Sequence, residues 1–318
     1  MSDKWIEKYK PVNINDFVLK YDQKKIFYQY AKNKTICNLI ICGINGIGKT
    51  AIVRYIAEKI YGKELMKQGM MELSASDSSE IKTMKKLFVD FSKTSIPGNI
   101  KFKIIFFDEA DNMTKKMQET TINLLNDSSM KNIYYIFTCN NSSKISSSIQ
   151  SKCQIIKLSI SPPQAIKMKL EKICKLENIE YDKSALMMIS TVAAGDIRLA
   201  INILQSVGIG KKKITQRLIS EVKGMPSLLM MEKLLICCSE KKTEDALKRV
   251  SRMLNEGYCG YDIAFLAMNM LTNNIGKVKN ISEDTKIYFI DKFSKLLVVI
   301  LQGYKNNIHI YATIISLC

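Results

Sequence analysis

Short apolar runs alternate with longer amphipathic stretches through the first half of the chain. Five of these runs are short and mostly apolar, which is typical of buried strands in a sheet. They cover residues 38–42, 70–73, 104–107, 133–138 and 155–158. After the first run, apolar residues recur at helical spacing over residues 49–61. This alternation predicts an α/β domain over residues 1–160, a mostly parallel sheet with helices on both faces.

The pattern changes at Ser161-Pro162-Pro163. Beyond this point the spacing predicts helices only, first over residues 164–177, 183–193 and 196–207. A lysine-rich joint at 208–213 and the Gly224-Met225-Pro226 break interrupt the series. We therefore expect an all-helical domain over residues 161–223 and a second all-helical domain over residues 224–318.

Composition narrows the class of protein. A chain of 318 residues with 47% hydrophobic content is long enough for two or three domains with sizeable cores. No apolar run approaches the length of a membrane span, and the N-terminus is charged from its third residue, so we expect neither membrane insertion nor a secretory signal. Nine scattered cysteines without a CxxC pair indicate reduced intracellular thiols.

The charge balance permits nucleic-acid binding without establishing it. The formal net charge is +18, from 48 basic and 30 acidic residues, but only five of the basic residues are arginine. The lysines are spread along the chain and not gathered in one block. A solvated lysine surface therefore explains the charge as well as a DNA-binding surface does.

The segment from Gly43 to Thr50 reads GINGIGKT, a complete match to the GxxxxGK[ST] pattern of a P-loop. It follows the first predicted strand and opens the first long helix, which is the context a phosphate-binding loop requires. Lys49 is expected to reach the β- and γ-phosphates of ATP, and the Thr50 hydroxyl to ligate Mg²⁺. The predicted nucleotide-binding residues here are Gly43, Asn45, Gly46, Ile47, Gly48, Lys49, Thr50 and Ala51.

Polar residues follow two more predicted strands. Asp108 and Glu109 come directly after the apolar run 104–107. We expect Asp108 to hold Mg²⁺ with its hydration shell and Glu109 to polarise the attacking water. Asn140 follows the run 133–138 and is a candidate for contact with the γ-phosphate or the water. Taken alone, the acidic pair could also be the first turn of a helix, and Asn140 the cap of a strand.

Six segments, in order, resemble motifs of replication factor C small subunits. They are WIEKYKP at 5–11, ELSASD at 72–77, DEADNMT at 108–114, CNNSSKI at 139–145, IQSKC at 149–153 and GDIRLAIN at 195–202. The resemblance implies an AAA+ ATPase module, a helical lid and a helical collar that joins five subunits into a ring. It is closest to the small-subunit type that carries IQSRC.

That resemblance also implies a function. The family binds ATP with Mg²⁺, opens a ring-shaped sliding clamp of the PCNA type and closes it around primer–template DNA. Four other clamp-loader subunits would complete a hetero-pentamer, and the location would be the nucleus. By matching positions, Arg198 would reach the γ-phosphate from the lid, and Tyr9 and Pro11 would lie near the adenine. The candidate DNA contacts are Ser79, Lys82, Lys85, Lys86, Thr114, Lys115 and Lys116.

The chain departs from the family pattern at three places. Lys152 replaces the arginine of SRC, a residue that acts in trans on the ATP of the neighbouring subunit. Lysine keeps the charge but lacks the planar fork that binds phosphate bidentately, so the contribution of Lys152 to the neighbour's ATP site stays open. Ser74 replaces an asparagine, and residues 121–125 lack two arginines of the family's helix.

Two other functions remain possible from the sequence. The chain could be a structural subunit that binds ATP with little turnover. It could also belong to a different AAA+ DNA machine, such as a branch-migration motor, which shares the P-loop and the acidic pair. That second alternative does not explain the segments 5–11 and 151–153.

Overall fold

A computed structural model describes residues 4–74, 81–97, 100–127, 132–209, 213–273, 278, 281–304 and 306–318. The chain divides into two compact units. The first comprises Met1–Pro162 with Gly195–Arg198, and the second Pro163–Ala194 with Leu199–Cys318. The first unit thus includes a four-residue segment from the second half of the chain, and the domain bounds 1–160 stay a prediction.

The first unit is built on a five-stranded sheet in which every neighbouring pair is parallel. The strands are β1 (Leu39–Cys42), β2 (Met70–Ser74), β3 (Lys103–Asp108), β4 (Ile133–Cys139) and β5 (Gln154–Lys157). Their order across the sheet is β2-β3-β4-β1-β5. All five strands were predicted from the apolar runs, and this confirms the α/β fold class.

Both faces of the three central strands, β1, β3 and β4, are buried, which explains why these strands read as apolar runs, whereas the edge strands β2 and β5 are partly exposed. Successive residues of β3 face opposite sides, so Ile104 and Phe106 join one core cluster while Ile105 and Phe107 join the other. Phe107 stacks on Phe137 of β4, with ring centroids 5.1 Å apart. The sheet is thereby fixed between two layers of helices.

Among the residues of the first unit that the structure describes, six α-helices are present. They are α1 (Trp5–Lys8), α2 (Tyr21–Asn33), α3 (Lys49–Gly69), α4 (Ile81–Lys93), α5 (Lys115–Asn126) and α6 (Ser147–Gln150). Residues of α2 and α3 pack in one core cluster, and residues of α4 and α5 in the other. The α3 helix continues past residue 61, where the predicted helix ends, with a break in helical geometry at Gly62.

The second unit is mainly helical. Its helices are α7 (Pro163–Leu176), α8 (Lys183–Val192), α9 (Ile197–Gly208), α10 (Gln216–Lys223), α11 (Leu228–Ser239), α12 (Thr243–Asn255), α13 (Gly260–Thr272), α14 (Glu283–Leu301) and α15 (Ile308–Leu317). The first two residues of α9 belong to the first unit. Within the described residues, no helix is both long and apolar enough to cross a membrane.

The prediction of helices only after residue 160 was wrong in one detail. Two short strands, β6 (Glu180–Tyr181) and β7 (Lys213–Ile214), pair in parallel in the second unit. Two residues are too few to show a period of two in the sequence, so only the pairing of distant segments reveals them. The division of this unit into a domain of 161–223 and one of 224–318 stays a prediction.

Candidate active site

The carboxyl ends of three adjacent strands bring the predicted nucleotide-binding residues together. The P-loop follows β1, Asp108 ends β3, and Asn140 follows β4, which lies between the other two strands. The Gly43 N–H donates to the Cys139 carbonyl over 3.1 Å, which joins the start of the P-loop to the end of β4. In open parallel sheets this edge is where ligands bind.

The P-loop backbone takes conformations that favour glycine. Gly46 has a φ of 68° and Gly48 a φ of 104°, both in the left-handed region. Gly48 directly precedes the first turn of α3, so the helix begins where the loop ends. Ile47, between these two glycines, is buried in the core and anchors the loop. Asn45 is exposed, and Ala51 is partly buried in the first turn of α3.

Lys49 connects the P-loop to Asn140. Its Nζ atom donates to the Asn140 Oδ1 atom over 2.8 Å and to the carbonyls of Gly43 and Ile44 over 2.8 and 3.0 Å. Burial lowers the pKa of Lys49, while the nearby carboxylates of Asp111 and Asp108 act in the opposite direction. The structure thus places the two residues that were predicted to contact the γ-phosphate in direct contact with each other.

Asp108 is oriented by side chains from two other elements. The Thr50 hydroxyl donates to both carboxylate oxygens, over 3.0 and 2.9 Å. The Thr138 hydroxyl on β4 donates to Asp108 Oδ1, and the Glu109 N–H donates to the same oxygen over 3.2 Å. A carboxylate held in this way presents a fixed acceptor beside the Thr50 hydroxyl, which is the arrangement a Mg²⁺ site requires.

Glu109 lies at a sharp turn of the backbone. Its φ of 55° is left-handed, a conformation that costs a non-glycine residue about 1–3 kcal/mol. The turn directs the chain into a short 3₁₀ helix, Ala110–Asn112, and leaves the Glu109 side chain exposed. Asn112 Nδ2 donates to Glu109 Oε2 over 3.3 Å. Backbone strain of this kind clusters at functional sites because it orients a reactive group.

The segment before α9 packs against the P-loop within the first unit. The Ile197 N–H donates to the Gly46 carbonyl over 3.2 Å. A Cβ atom added at Gly46 would lie only 1.7 Å from Asp196 Oδ1. Arg198 follows in the first turn of α9, and its side chain is exposed. The predicted γ-phosphate contact from the lid is therefore attached to a segment already in contact with the loop.

Lys152 lies at the amino ends of the strands, opposite the carboxyl ends that carry the P-loop. It precedes β5, and its carbonyl accepts from Asn38 Nδ2 at the start of β1, whereas the P-loop follows the end of β1. The Lys152 side chain is exposed, and its Nζ atom donates to Asn126 Oδ1 at the end of α5. Because the strands are parallel, Lys152 faces away from the nucleotide site of its own chain, as a residue acting in trans would.

The remaining candidates lie at the periphery or outside the described part. Tyr9 and Pro11 are partly buried after α1, and the ring of Tyr9 contacts that of Trp5 edge-on. Ser79 lies outside the described residues, as do the side chains of Lys82 and Lys85 in α4. Three further DNA candidates, Lys86, Lys115 and Lys116, are exposed.

The DNA candidate Thr114 caps α5, because its hydroxyl accepts from the Met117 N–H over 3.3 Å. The DNA contacts stay predictions.

Sequence reasoning missed three residues that orient the site. They are Thr138, which donates to Asp108, Asn112, which donates to Glu109, and Asp196, which lies against Gly46. Thr138 could have been found from the sequence, because it is a polar residue near the end of an otherwise apolar buried strand. Asn112 and Asp196 lie within the family segments 108–114 and 195–202, but the sequence does not indicate what their side chains contact.

The residues present fit Mg²⁺ with a nucleotide. Asp111 has a buried carboxylate oxygen, Oδ1, with no hydrogen-bond partner among the described residues. No group of three or more His, Cys, Asp or Glu side chains in the described ranges forms a metal cage of its own. Mg²⁺ does not need one, because it is normally bound by one or two carboxylates together with substrate phosphates and water. Thr50 and Asp108 would hold the ion.

Comparison with known proteins agrees with this geometry. Residues 39–159 match the model of the ATPase family associated with various cellular activities (AAA), and residues 168–208 match an RCF1/5-like AAA+ ATPase lid domain. A protein of Acanthamoeba polyphaga mimivirus named as a replication factor C small subunit is 33% identical over 313 residues, covering 98% of this chain and 96% of the relative. The chain belongs to the replication factor C small-subunit family.

Other replication factor C proteins match over most of their length. The small subunit of Methanothermobacter thermautotrophicus is 36% identical over 269 residues, covering 83% of this chain and 81% of the relative. Replication factor C subunit 4 of Saccharomyces cerevisiae is 30% identical over 305 residues, covering 94% of this chain and 90% of the relative. The resemblance that the six sequence segments indicated is confirmed.

Among solved structures, the RuvB Holliday junction branch migration motor of Thermotoga maritima has a similar fold. Its TM-score is 0.56 at 16% identity, covering 72% of this chain and 78% of the motor. Identity this low shows the fold alone. Full-length similarity to replication factor C subunits therefore decides the family, and the shared AAA+ fold accounts for the structural likeness to the motor.

Proposed function

We propose that the chain is an ATP-hydrolysing subunit of a clamp loader, which opens a sliding clamp of the PCNA type and loads it onto primer–template DNA. The observation that carries this proposal is the grouping of Lys49, Thr50, Asp108, Glu109 and Asn140 at one sheet edge in a member of the replication factor C small-subunit family. Four other clamp-loader subunits would complete a hetero-pentamer.

In this proposal each residue at the sheet edge has a separate task. Backbone N–H groups from Gly43 to Thr50 bind phosphate oxygens, and Lys49 exchanges its carbonyl acceptors for the β- and γ-phosphates. Thr50 and Asp108 hold Mg²⁺, which when bound neutralises charge that develops on the phosphates. Thr138 keeps the Asp108 carboxylate in place for that contact.

Glu109 is the residue we assign to water activation. Its strained turn and the hydrogen bond from Asn112 hold the exposed carboxylate at the end of β3. There it would accept a proton from the attacking water while Asn140 orients that water or the γ-phosphate. Arg198, from the segment bound to Gly46, would contribute positive charge at the γ-phosphate.

Further residues would act between subunits and on DNA. Lys152 would approach the ATP of a neighbouring subunit, and its position away from the P-loop of its own chain supports this role. The lysines at the start of α4 and α5 would bind DNA phosphates without reading sequence, as loading at any primer end requires. Relatives from yeast support a nuclear location, although the family also includes viral and archaeal proteins.

A second candidate function is that of a structural subunit that binds ATP with little turnover. Lys152 in place of the family's arginine favours it, since lysine cannot bind phosphate bidentately. The two functions make different predictions for Glu109→Gln in the assembled complex. The enzymatic function predicts loss of this site's share of ATP turnover and slower clamp loading, with ATP binding retained.

The matched control is Glu64→Gln, which removes the same charge from an exposed position on α3 of the same unit. It should leave turnover unchanged. Equal turnover and equal loading rates for Glu109→Gln and the control would assign the chain to the structural function.

A further inference from the structure

Two cysteines lie opposite each other at the sheet edge that carries the candidate nucleotide site. Cys42 is the last residue of β1, directly before the P-loop, and Cys139 is the last residue of β4, directly before Asn140. The register of the parallel pair β1 and β4 makes Cys42 and Cys139 partners. A covalent bond between them would therefore act on both segments that are expected to contact the γ-phosphate.

The two cysteine side chains lie on the same face of the sheet. Cys139 is fully buried in one core cluster, and Cys42, which is partly exposed, packs against that cluster. Paired residues on neighbouring strands are ~4.8 Å apart, which is within the ~4.4–6.8 Å that separates the Cα atoms of a disulfide. Both thiols are free. The backbone thus already has the spacing that a disulfide between them needs.

The Cys42 thiol is hydrogen-bonded to a segment of the candidate site. Its Sγ atom donates to the Asn140 carbonyl over 3.3 Å, and the Asn140 side chain in turn accepts from Lys49. The Gly43 N–H donates to the Cys139 carbonyl over 3.1 Å. A disulfide would remove the donor of the Asn140 carbonyl and would fix the ends of β1 and β4 to each other. Oxidation would therefore disturb the positions of Asn140 and of the P-loop.

The two thiols differ in their access to an oxidant. Burial raises the pKa of Cys139 to about 12, and the neighbouring Cys42 acts in the same direction. Cys139 is therefore a protonated, inaccessible thiol at neutral pH and is not the first to be oxidised. Cys42 is partly exposed, so a small peroxide reaches its sulfur first, and Cys139 is the second thiol beside it.

We propose that Cys42 and Cys139 form an oxidisable thiol pair, which a peroxide converts into a disulfide that weakens ATP binding at the adjacent P-loop. The Cys42 sulfur attacks hydrogen peroxide, the O–O bond breaks and one water leaves, which gives a sulfenic acid. The Cys139 sulfur then attacks the Cys42 sulfur and the S–O bond breaks. The departing hydroxide takes the Cys139 proton as a second water. The two thiols lose two electrons in total, and the peroxide gains them.

The formation of the disulfide is independent of the proposed function, whereas its effect on ATP binding rests on the proposed nucleotide site. The test treats the full-length chain with hydrogen peroxide and reduces half of the sample with dithiothreitol. Mass spectrometry of unreduced peptides should identify a link between Cys42 and Cys139. A fluorescent ATP analogue, titrated in Mg²⁺, should bind about tenfold more weakly after oxidation, the size of effect expected when groups that orient a site are disturbed. Reduction should restore the affinity.

Two variants separate the disulfide from general oxidation damage. Cys42→Ser keeps a donor for the Asn140 carbonyl but cannot form the disulfide, so its ATP binding should not respond to peroxide. If Cys42→Ser does not fold, Cys139→Ala gives the same comparison. The control is Cys259→Ser, which removes an exposed thiol in the second unit and should remain as sensitive to peroxide as the wild type.

Three outcomes would overturn the proposal. The first is the absence of a Cys42–Cys139 link after oxidation, including a link formed between other cysteines instead. The second is a Cys42–Cys139 link that leaves ATP binding unchanged. The third is a loss of ATP binding by oxidised Cys42→Ser or Cys139→Ala that equals the loss in the wild type. Reduced wild type that binds no nucleotide would instead contradict the proposed function, and the peptide analysis would still decide whether the pair is oxidised.

Discussion

The Thr138 hydroxyl on β4 donates to Asp108 Oδ1 on the neighbouring strand β3, 30 residues earlier in the chain. Thr138 is fully buried, and Asp108 also accepts from Thr50 in α3. Three elements therefore meet at one carboxylate. Because the acceptor is charged, each of these hydrogen bonds is stronger than one between neutral groups.

Replacing Thr138 by valine should weaken Mg²⁺-dependent ATP binding. Valine has the same shape, so the core is retained, but Asp108 loses one of the donors that orient it. We expect about tenfold weaker ATP binding in Mg²⁺, together with a loss of stability of about 1–3 kcal/mol because a hydrogen bond to a charged group is removed. Nucleotide titration and urea unfolding measure the two effects.

The control for this variant is Thr121→Val. Thr121 is also buried, and its hydroxyl donates to the Met117 carbonyl within α5. It should leave ATP binding unchanged. If Thr138→Val binds ATP as the control does, Thr138 does not orient Asp108 for the ion.

Gly46→Ala should be destabilising mainly because of Asp196. The φ of 68° alone costs a side chain about 1–2 kcal/mol, and the new Cβ would also meet Asp196 Oδ1 at 1.7 Å. In an Asp196→Ala background the collision is removed and only the backbone strain remains. A double-mutant cycle by urea unfolding should give a coupling of about 0.5–3 kcal/mol.

Gly62→Ala provides the control for backbone strain. Gly62 lies in the same unit with a φ of 78°, and no described atom outside its own stretch of helix lies within 4 Å of its added Cβ. The loss of unfolding free energy caused by Gly62→Ala should be the same with and without Asp196. Additive costs for Gly46→Ala and Asp196→Ala would show that the α9 segment is not packed on the P-loop in solution.

Lys152→Ala should affect the assembled complex and not the isolated chain. Lys152 lies at the sheet edge opposite the P-loop, so ATP binding by the isolated chain should be unchanged. In the complex, turnover at the site facing Lys152 should fall at least about tenfold, since a cation that stabilises phosphoryl transfer is lost. Lys152→Arg should retain or increase the turnover.

Asn126→Ala separates the orientation of the Lys152 ammonium from its charge. It removes the acceptor of the Lys152 ammonium while the lysine remains, so turnover should fall less than with Lys152→Ala. Lys67→Ala, at an exposed position on α3, is the charge control. Weaker ATP binding by isolated Lys152→Ala would contradict a role restricted to the neighbouring subunit.

The stabilising effect of Lys103 should depend on pH. Its side chain is buried and its Nζ atom donates to the Phe91 and Thr94 carbonyls at the end of α4. Burial lowers the pKa of Lys103 from 10.5 in the folded state. Between that lowered pKa and 10.5 the unfolded chain binds more protons, so the contribution of Lys103 to the free energy of unfolding rises with pH.

The measurement is the difference in unfolding free energy between the wild type and Lys103→Met at neutral pH and near pH 10. The difference should shift in favour of the wild type at the higher pH. Lys101→Met, at an exposed position, should show no such shift. A shift toward the variant would mean that the ammonium form is favoured by its carbonyl acceptors more than burial disfavours it.

The sequence by itself determined the local elements of the site. A strand buried on both faces must be apolar throughout, and a phosphate-binding loop must carry glycine at fixed positions before a helix. Both requirements involve residues close together in the chain, so β1 to β5, the P-loop and the Asp108–Glu109 pair could be predicted. The motifs of the replication factor C family were readable for the same reason.

Only the tertiary structure decided which distant residues meet. The strand order β2-β3-β4-β1-β5 places Thr138 and Asn140 beside Asp108 and Lys49, and parallel pairing sends Lys152 to the far edge. The packing of Asp196 on Gly46 and the burial of the Asp111 oxygen likewise depend on contacts between segments far apart in the chain. Local pattern does not encode such contacts, because hydrogen bonding and burial depend on which surfaces come together when the sheet and its helices pack.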